Sequence, residues 1–357
     1  MKSISAVPNH SRGPTIAFRA FFPVCNPWWM ILMVYISLLL PSPVVFGANM
    51  RIVVGKEARF TDQSGQTLKV DKPFKRIISL YGAHTENLFA LGAEERLIGV
   101  GRNEVYPPAA SQKARFSYRD DAEKFLAARP DLILVRPMIT RAYPQLIQRL
   151  RQSGITMVSM QPADMMEMYD YWRVLGLLSG KKQRAEEMIA AFQSALKGFE
   201  ALKRSITAPK RVYLEAIHDK MKTFTPDAMA AVVLEAAGGI NVARDAPQVR
   251  RTNLAFYGKE RLLSKGEEID VYLAQFGAMN RPTIEMIRKE PGFHIIKAVR
   301  ENEIYLIDEA IISRPTPRLL LGIFTIGKTL YPQRFPRKGL EILQTAALTA
   351  QPLEVAH

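Results

Sequence analysis

Two kinds of hydrophobic pattern alternate along most of the chain, and their order occurs twice. Short apolar runs, as at residues 77–80 and 132–135, are typical of buried strands. Residues 85–91 instead place apolar side chains at three- and four-residue spacing and stop at Gly92, which is typical of a helix. Strands that alternate with helices predict parallel sheets, so we expect an α/β chain with two similar lobes and a cleft between them.

Each lobe is predicted from a series of such segments. In the first lobe we expect strands at residues 77–80, 97–100, 132–135 and 155–159 and helices at 85–91, 122–128 and 143–153. In the second lobe we expect strands at residues 211–215, 269–273 and 304–307 and helices that begin at 257, 283 and 317. Residues 51–70 precede both lobes and predict a β-hairpin with its turn at 62–65.

The segment between the lobes has a helical pattern from residue 165 to about 205, broken only near 179–182. At about 1.5 Å per residue, the part from 181 to 205 is long enough to connect two lobes. The predicted organisation is a signal segment at 1–47, a first lobe with its leading hairpin at 48–162, a connecting helical segment at 163–208, a second lobe at 209–335 and a tail, predicted to be a peripheral helix, at 336–357.

The first 47 residues differ in composition from the rest of the chain. Their only charged residues are Lys2, Arg12 and Arg19. Residues 28–40 then form an apolar run that is too short to span a bilayer comfortably. This order, followed by small residues, predicts a secretory signal that is cut after residue 47 or 48, with an uncleaved membrane anchor as the alternative. In either case we expect the body of the protein outside the cytoplasm.

The chain has one cysteine, Cys25, and it precedes the apolar run. A lipoprotein acceptor cysteine follows that run at the cleavage point, so lipid anchoring through Cys25 is not expected. Removal of the first 47 residues leaves no thiol, which suits an oxidising compartment.

A net charge of +15 gives the chain a field that attracts anions. Nucleic acid is disfavoured as a partner, because lysines and arginines are scattered among acids and no aromatic-basic ladder or zinc-finger spacing occurs. An acidic small ligand, or solubility alone, explains the charge as well.

Several motifs occur in an order that is specific in combination. They are RIISL and TENLFALGA within residues 76–93, Glu123 with ProAspLeu in residues 123–135, GluAlaAlaGlyGly at 235–239, and IleTyrLeuIleAsp followed by ArgProThrProArgLeu at 314–319. Over residues 51–332 the chain resembles the class III periplasmic substrate-binding proteins that serve ABC importers of iron complexes, haem and cobalamin. The resemblance implies two Rossmann-like α/β lobes bridged by a single long α-helix, the helical-backbone periplasmic binding protein fold.

The same resemblance implies partners and cargo. We expect a periplasmic monomer with no intrinsic cofactor, which carries a ferric siderophore, haem or a corrinoid between its lobes to an ABC permease dimer and its ATPase. Glu123 and Glu260 hold equivalent positions near helices of the two lobes. Glutamates that match them in the family meet arginines on the two permease subunits, and such pairs fix docking register more than affinity. The alternative is that both are ordinary solvated carboxylates.

Ligand-binding candidates are expected in loops at the carboxyl ends of the strands, where open α/β sheets bind ligands. In the first lobe these are Tyr81, His84, Tyr106, Arg119, Met138 and Arg141. In the second lobe they are His218, Arg250, Arg251, Gln275, Met279 and Arg314.

The chemistry of these residues suits a metal complex with acidic groups. Tyr, His and Met side chains ligate haem iron, and His also reaches a corrin cobalt, so His84 and His218 are the candidate metal ligands through a bound cargo. Arginines pair with carboxylates through two parallel hydrogen bonds. The alternatives are capping or packing for both histidines, aromatic walls for Tyr81 and Tyr106, and exposure to water for the paired arginines at 250–251.

One departure from the family pattern bears on the cargo. Many relatives carry small residues after the first strand, whereas this chain has TyrGlyAlaHis at 81–84, which argues against a plain copy of the cobalamin pocket and permits a metal-centred ligand. Catalysis has little support, since no GxSxG, HExxH, P-loop or dinucleotide fingerprint occurs in a workable context. Two alternatives stay open, namely a metal-dependent periplasmic enzyme that uses the histidine-bearing cleft and a membrane-tethered ligand sensor.

Overall fold

The computed structural model describes residues 51–250 and 252–346. The signal or anchor predicted at 1–47, Arg251 and the last part of the predicted tail lie outside the described residues. None of the helices within the described ranges combines the length and the apolar composition that a membrane span requires.

A small antiparallel sheet precedes the first lobe. Its strands are β1 (Val53–Val54), β2 (Arg59–Thr61) and β3 (Thr67–Lys69), in that order. Strand β2 was not predicted: it pairs with both β1 and β3, so the hairpin around the predicted turn is formed by β2 and β3. Between β2 and β3, the buried Asp62 accepts hydrogen bonds from the backbone of Ser64, Gln66 and Ser159, so one carboxylate both forms the predicted turn and attaches it to the first lobe.

The first lobe is built on a five-stranded parallel sheet. Its strands are β4 (Ile77–Ser79), β5 (Leu97–Gly101), β6 (Ala114–Phe116), β7 (Leu132–Val135) and β8 (Thr156–Ser159), in the order β6-β5-β4-β7-β8. Its helices are α1 (Gly82–Ala90), α2 (Ala122–Ala128), α3 (Pro137–Ala142) and α4 (Pro144–Gln152). All residues of β4 and β7 are buried, which explains their uninterrupted apolar runs. The short elements β6 and α3 were not predicted.

Two helices connect the lobes, α5 (Met165–Ser179) and α6 (Lys182–Arg204). Asp164 caps α5 by accepting from the backbone N–H of Glu167, and Gly180 ends it in the left-handed conformation at a φ of 72°. The predicted bridging helix corresponds to α6, which packs against α5 on one side and against helices of the second lobe on the other.

The second lobe has a mixed sheet. Its strands are β9 (Arg211–Ile217), β10 (Lys222–Phe224), β11 (Ile240–Asn241), β12 (Leu254–Phe256), β13 (Val271–Phe276) and β14 (Ile304–Asp308), in the order β12-β10-β9-β13-β14 with β11 also beside β9. Its helices are α7 (Met229–Ala236), α8 (Lys259–Ser264), α9 (Ile284–Lys289), α10 (Lys297–Arg300), α11 (Glu309–Ile312), α12 (Leu319–Leu330) and α13 (Phe335–Ala346).

Two features of this lobe differ from the prediction. Strand β10 is antiparallel to both β9 and β12, so the sheet is not purely parallel, and the helix expected from residue 257 begins at Lys259. Helix α13, in the predicted tail, is docked on the core, since Phe335 is fully buried and its ring stacks on Phe199 of α6 at 6.0 Å.

The largest cluster of buried apolar side chains extends through both lobes. It includes Ile77 and Leu132 of the first sheet, Trp172 and Phe192 of the connecting helices, and Leu214 of the second sheet. Because the lobes share one packed core, we expect their relative displacement to be small.

Candidate functional site

The two lobes meet at a buried carboxylate, Glu86, in α1. Arg314 donates Nη1 to Glu86 Oε1 at 2.9 Å, and Arg318 donates Nε and Nη2 to the two carboxylate oxygens at 2.9 and 2.8 Å. Helix α1 follows the carboxyl end of β4, and both arginines follow the carboxyl end of β14. The carboxyl edges of the two sheets therefore adjoin the same inter-lobe boundary, which is where open α/β sheets bind ligands.

A second set of hydrogen bonds crosses the boundary beside this ion pair. The carbonyl oxygen of Pro315 accepts from Asn87 Nδ2 at 2.9 Å and from Trp172 Nε1 at 3.1 Å, and all of these groups are buried. We call Glu86, Asn87, Trp172 and the segment Arg314–Arg318 the inter-lobe clasp. Polar groups that are buried and satisfied by one another fix the docking of the two lobes.

Glu104, just after β5, is a second carboxylate at the boundary. Its Oε2 lies 3.9 Å from Arg314 Nη1 and is buried without a hydrogen-bond partner, and burial raises the pKa of this carboxyl. Both side chains crowd against Gly82, where a Cβ would lie 2.3 Å from Glu104 Oε2 and 2.5 Å from Arg314 Nη1. A side chain at position 82 would therefore displace the carboxylate of Glu104 and the guanidinium of Arg314 from their present positions.

Two tyrosines at the boundary each lie against an arginine. The guanidinium carbon of Arg318 is 3.8 Å from the centre of the Tyr106 ring, and that of Arg136 is 4.7 Å from the centre of the Tyr81 ring. Burial raises the pKa of Tyr81 to about 12, so its phenol stays protonated at neutral pH. Both rings can therefore serve as walls that hold cationic groups in place.

His84 is a buried structural residue in this arrangement. Its Nδ1 is 2.7 Å from the Tyr171 hydroxyl, and its Nε2 is 3.2 Å from the carbonyl oxygen of Val135. Burial lowers the pKa of His84 to about 3, so the ring is neutral, and both nitrogens are occupied. This geometry corresponds to the packing alternative, because a cargo metal reaches neither nitrogen without breaking one of these bonds.

His218 belongs to a buried network at the carboxyl end of β9. Its Nδ1 is 2.8 Å from Glu215 Oε2, which also accepts from the Tyr272 hydroxyl. Asn280 accepts from the backbone N–H of His218 at 3.0 Å, and Glu290 Oε2 lies 3.9 Å from His218 Nε2. The hydrogen bond to Glu215 raises the pKa of His218 against the opposing effect of burial.

Large apolar side chains are exposed where several strands end at their carboxyl side. In the first lobe they follow β5 and β7, and in the second lobe they end or follow β12 and β13. They are Val105, Met138, Phe256, Phe276 and Met279. Exposed apolar side chains grouped on such loops, with a few charged groups between them, are typical of a ligand-binding surface.

Comparison with known proteins identifies the family. Residues 77–311 match the family model described as a periplasmic binding protein. The chain belongs to the periplasmic binding protein family. This confirms the resemblance drawn from the sequence motifs.

Individual relatives of this family member agree with that assignment. An ABC transporter substrate-binding lipoprotein of Bacillus subtilis is 25% identical over 279 residues, which cover 77% of this chain and 85% of that protein. The vitamin B12-binding protein of Vibrio cholerae is 25% identical over 257 residues, 70% of this chain and 87% of its own length. A solved structure of a possible iron-binding, periplasmic solute-binding protein from Staphylococcus epidermidis is 25% identical, with a TM-score of 0.63 over 73% of this chain and 100% of that one. The predicted fold is confirmed.

The remaining first-lobe candidates lie at exposed positions of the carboxyl-side loops. Arg119 lies beside Tyr118, with its guanidinium carbon 5.8 Å from the ring centre. Met138 and Arg141 are exposed in α3, directly after β7. The structure thus brings Tyr81, Met138 and Arg141 to the end of adjacent strands.

The second-lobe candidates divide into three groups. Met279 is exposed after β13, whereas Gln275 is buried in that strand and accepts from the Ser313 hydroxyl at 2.6 Å. Arg250 is exposed in the turn before β12, hence at the amino end of that strand. The prediction that Arg250 lies at the carboxyl end of a strand was wrong. The short strand β12 was not predicted, and because it follows Arg250, the turn that carries Arg250 lies at the amino end of β12.

Glu123 and Glu260 occupy the second residue of α2 and of α8 respectively, and both are exposed. Glu123 forms an ion pair with Arg149 of α4. Both carboxylates thus lie in the first turn of a short helix, one in each lobe.

Several residues of the site were missed by the sequence analysis. They are Glu86 as an inter-lobe partner, Glu104, Arg136, Arg318, Phe256 and Phe276. Only Arg318 had a signal in the sequence, the arginine pair in ArgProThrProArg at 314–318, since prolines stiffen the segment that carries both charges.

Proposed function

We propose that this family member is the exported substrate-binding component of an ABC importer. It captures an iron chelate, haem or a corrinoid at the inter-lobe boundary and delivers it to a permease dimer and its ATPase. The observation that carries this proposal is the meeting of the carboxyl edges of both sheets at the inter-lobe clasp, beside exposed apolar and aromatic side chains. Binding without chemical change of the cargo is the whole activity.

The composition of this surface supports a bulky cargo with a hydrophobic face. Met138, Phe276 and Met279 offer apolar area, while Arg314 and Arg136 offer charge. Elements of a binding site that are already held in place by a shared core lose little conformational entropy when a ligand binds. The similarity to a vitamin B12-binding protein and to a possible iron-binding protein supports the same class of cargo.

Docking to the permease is proposed to use Glu123 and Glu260. Each is exposed near the start of a short helix, one in each lobe. Two separated carboxylates that meet arginines on two permease subunits fix the register of the complex. For Glu123 this requires exchange of its ion pair with Arg149 for one across the interface.

The decisive experiment is an absorption spectrum and a metal analysis of the protein purified from its own periplasm. A Soret band indicates haem, a corrin spectrum with cobalt indicates a corrinoid, and broad charge-transfer absorption with iron indicates a ferric siderophore. N-terminal sequencing of the same sample tests export with cleavage after residue 47 or 48. Turnover of a bound compound, or failure to bind any metal complex, contradicts the proposal.

A further inference from the structure

Arg136 lies at the boundary in a position unlike that of the clasp arginines. It is the residue directly after β7 and precedes α3, so it stands at the carboxyl edge of a central strand. Its guanidinium rests on the Tyr81 ring, 4.7 Å from the ring centre, and the side chain is half-buried. The ring fixes the plane of the guanidinium without using any of its hydrogen-bond donors.

Within residues 51–250 and 252–346, Arg136 has no carboxylate at ion-pair distance, whereas Arg314 and Arg318 share Glu86. Its Nε is buried and has no hydrogen-bond partner in the same residues. A partly buried cation with open donors is unusual, because charged groups removed from water are generally paired. The Nη1 and Nη2 groups of this half-buried side chain donate to no group of the described residues either, so this outer end of the planar fork can receive an oxyanion through two parallel hydrogen bonds.

The surrounding charges favour an anion at this point. Arg136, Arg314 and Arg318 carry three positive charges against the two carboxylates Glu86 and Glu104. A cargo with a carboxylate or another oxyanion on its periphery completes the charge balance, and a neutral cargo does not.

We propose that Arg136 determines cargo specificity by binding a peripheral carboxylate or other oxyanion of the metal complex, so that the protein selects anionic chelates over neutral ones. This inference rests on the proposed function, of which it specifies the substrate class. Arg136 is thereby a specificity residue for the cargo, distinct from the clasp arginines, whose guanidinium groups are both paired with Glu86 across the boundary.

The test titrates the purified protein with three probes, haemin, ferric citrate and cyanocobalamin, and compares wild type with Arg136→Gln, Arg136→Lys and the control Arg129→Gln. Arg129 is exposed and precedes β7, so Arg129→Gln removes the same charge at the opposite end of the same strand. We expect Arg136→Gln to weaken the tightest anionic probe by about tenfold or more, as loss of a charge-assisted bond does. Arg136→Lys should restore part of the affinity, and Arg129→Gln should bind as wild type.

A second measurement changes the ligand in place of the protein. Haemin carries two propionate carboxylates that its dimethyl ester replaces by uncharged methyl esters, and we expect wild type to prefer haemin while Arg136→Gln loses that preference. Equal affinity of wild type and Arg136→Gln for the anionic probes, or preferential binding of cyanocobalamin by wild type, overturns the inference and leaves the proposed function standing. If wild type binds none of the probes and no metal complex accompanies it from the periplasm, the proposed function fails and this inference with it.

Discussion

At the scale of single residues, the docking of the lobes depends most on Glu86. Its carboxylate is almost completely buried and receives three hydrogen bonds from two arginines of the other lobe. A buried ion pair is a modest source of net stability, yet removal of one partner leaves the others as uncompensated buried charge. The loss of stability on substitution therefore depends on whether a buried charge is left without a partner.

We predict that Glu86→Ala lowers the free energy of unfolding by about 3 to 5 kcal/mol, because Arg314 and Arg318 lose their common partner. Urea denaturation followed by circular dichroism measures the change. The matched control is Glu123→Ala, which breaks an exposed pair with Arg149 and should cost less than about 1 kcal/mol. Equal effects of the two substitutions would show that the clasp contributes nothing beyond a surface pair.

We also predict a pH dependence of stability that belongs to His218. Glu215 raises the pKa of this imidazole above its ordinary 6.5, so the charged form is favoured in the folded state. The contribution of His218 to the free energy of unfolding is complete below pH 6.5 and is lost as pH rises through the folded-state pKa. Glu290 and Asp219 act in the same direction, while burial opposes them.

His84 contributes with the opposite sign, since burial lowers its pKa to about 3 and the folded state therefore loses stability as pH falls from 6.5 towards that value. The measurement therefore compares wild type with His218→Gln by denaturation between about pH 5 and about pH 8. We expect the difference in unfolding free energy between the two proteins to shrink as pH rises. A difference that stays constant over this range would contradict the assignment.

Some single residues of the site could be predicted from the sequence and others could not. Arg314, Tyr81 and Tyr106 could be predicted because they follow strands that have a clear apolar pattern. Glu86 could not be predicted as the partner of Arg314, because an ion pair between residues so far apart in sequence is fixed by the docking of two lobes and leaves no local pattern. His84 was selected for its chemistry, and only its burial reveals that both ring nitrogens are used.

At the scale of elements, the segment that carries the clasp arginines is held at both ends by α11 and α12. Gly322 of α12 approaches α11 so closely that a Cβ there would lie 2.1 Å from the carbonyl oxygen of Ile311. A backbone oxygen cannot move aside as a side chain can. The close contact of these two helices therefore sets the position of Arg314–Arg318.

We predict that Gly322→Ala lowers the free energy of unfolding by about 1 to 3 kcal/mol, as overpacking of a buried contact does. The control is Lys328→Ala, on the same helix at an exposed position. Thermal unfolding measures stability, and titration with the cargo identified from the periplasm should show weaker binding in Gly322→Ala alone. Unchanged stability and affinity would mean that α11 yields to the added methyl group.

Elements with a strong apolar pattern were predicted within one or two residues, as α2, β7 and α6 illustrate. The strands β6, β10 and β12 were missed because each has only three residues and no run of β-branched apolar residues, whereas the equally short β4 begins with two isoleucines. Their pairing depends on distant segments, so the position of Arg250 was assigned to the wrong end of a strand.

At the scale of the whole molecule, the repeated order of strands and helices was sufficient to predict two lobes. It was not sufficient to predict how they are joined. The structure shows one buried apolar cluster that runs through both lobes and the connecting helices. The two lobes of this family member are therefore packed against each other and against the connecting helices.

We predict that charge reversal of both docking candidates, Glu123→Arg with Glu260→Arg, abolishes uptake of the cargo by cells while the purified protein keeps wild-type affinity. The reason is that repulsion across the permease interface removes the docking register without touching the inter-lobe boundary. Uptake of labelled cargo and titration measure the two properties. Glu187→Arg, an exposed reversal on α6, is the control and should leave uptake intact. Loss of affinity in the double variant would place these glutamates in the binding site instead.

The inter-lobe clasp restricts how the cargo can leave. The lobes are held together by α6, by the clasp and by the apolar cluster that they share, so the movement that disturbs this packing least is a small rotation about an axis through α6 and the clasp. Groups close to that axis, such as Glu86 and Arg318, then keep their spacing during release, while side chains far from it separate. We therefore expect release to be a small opening that is widest at the side chains farthest from that axis.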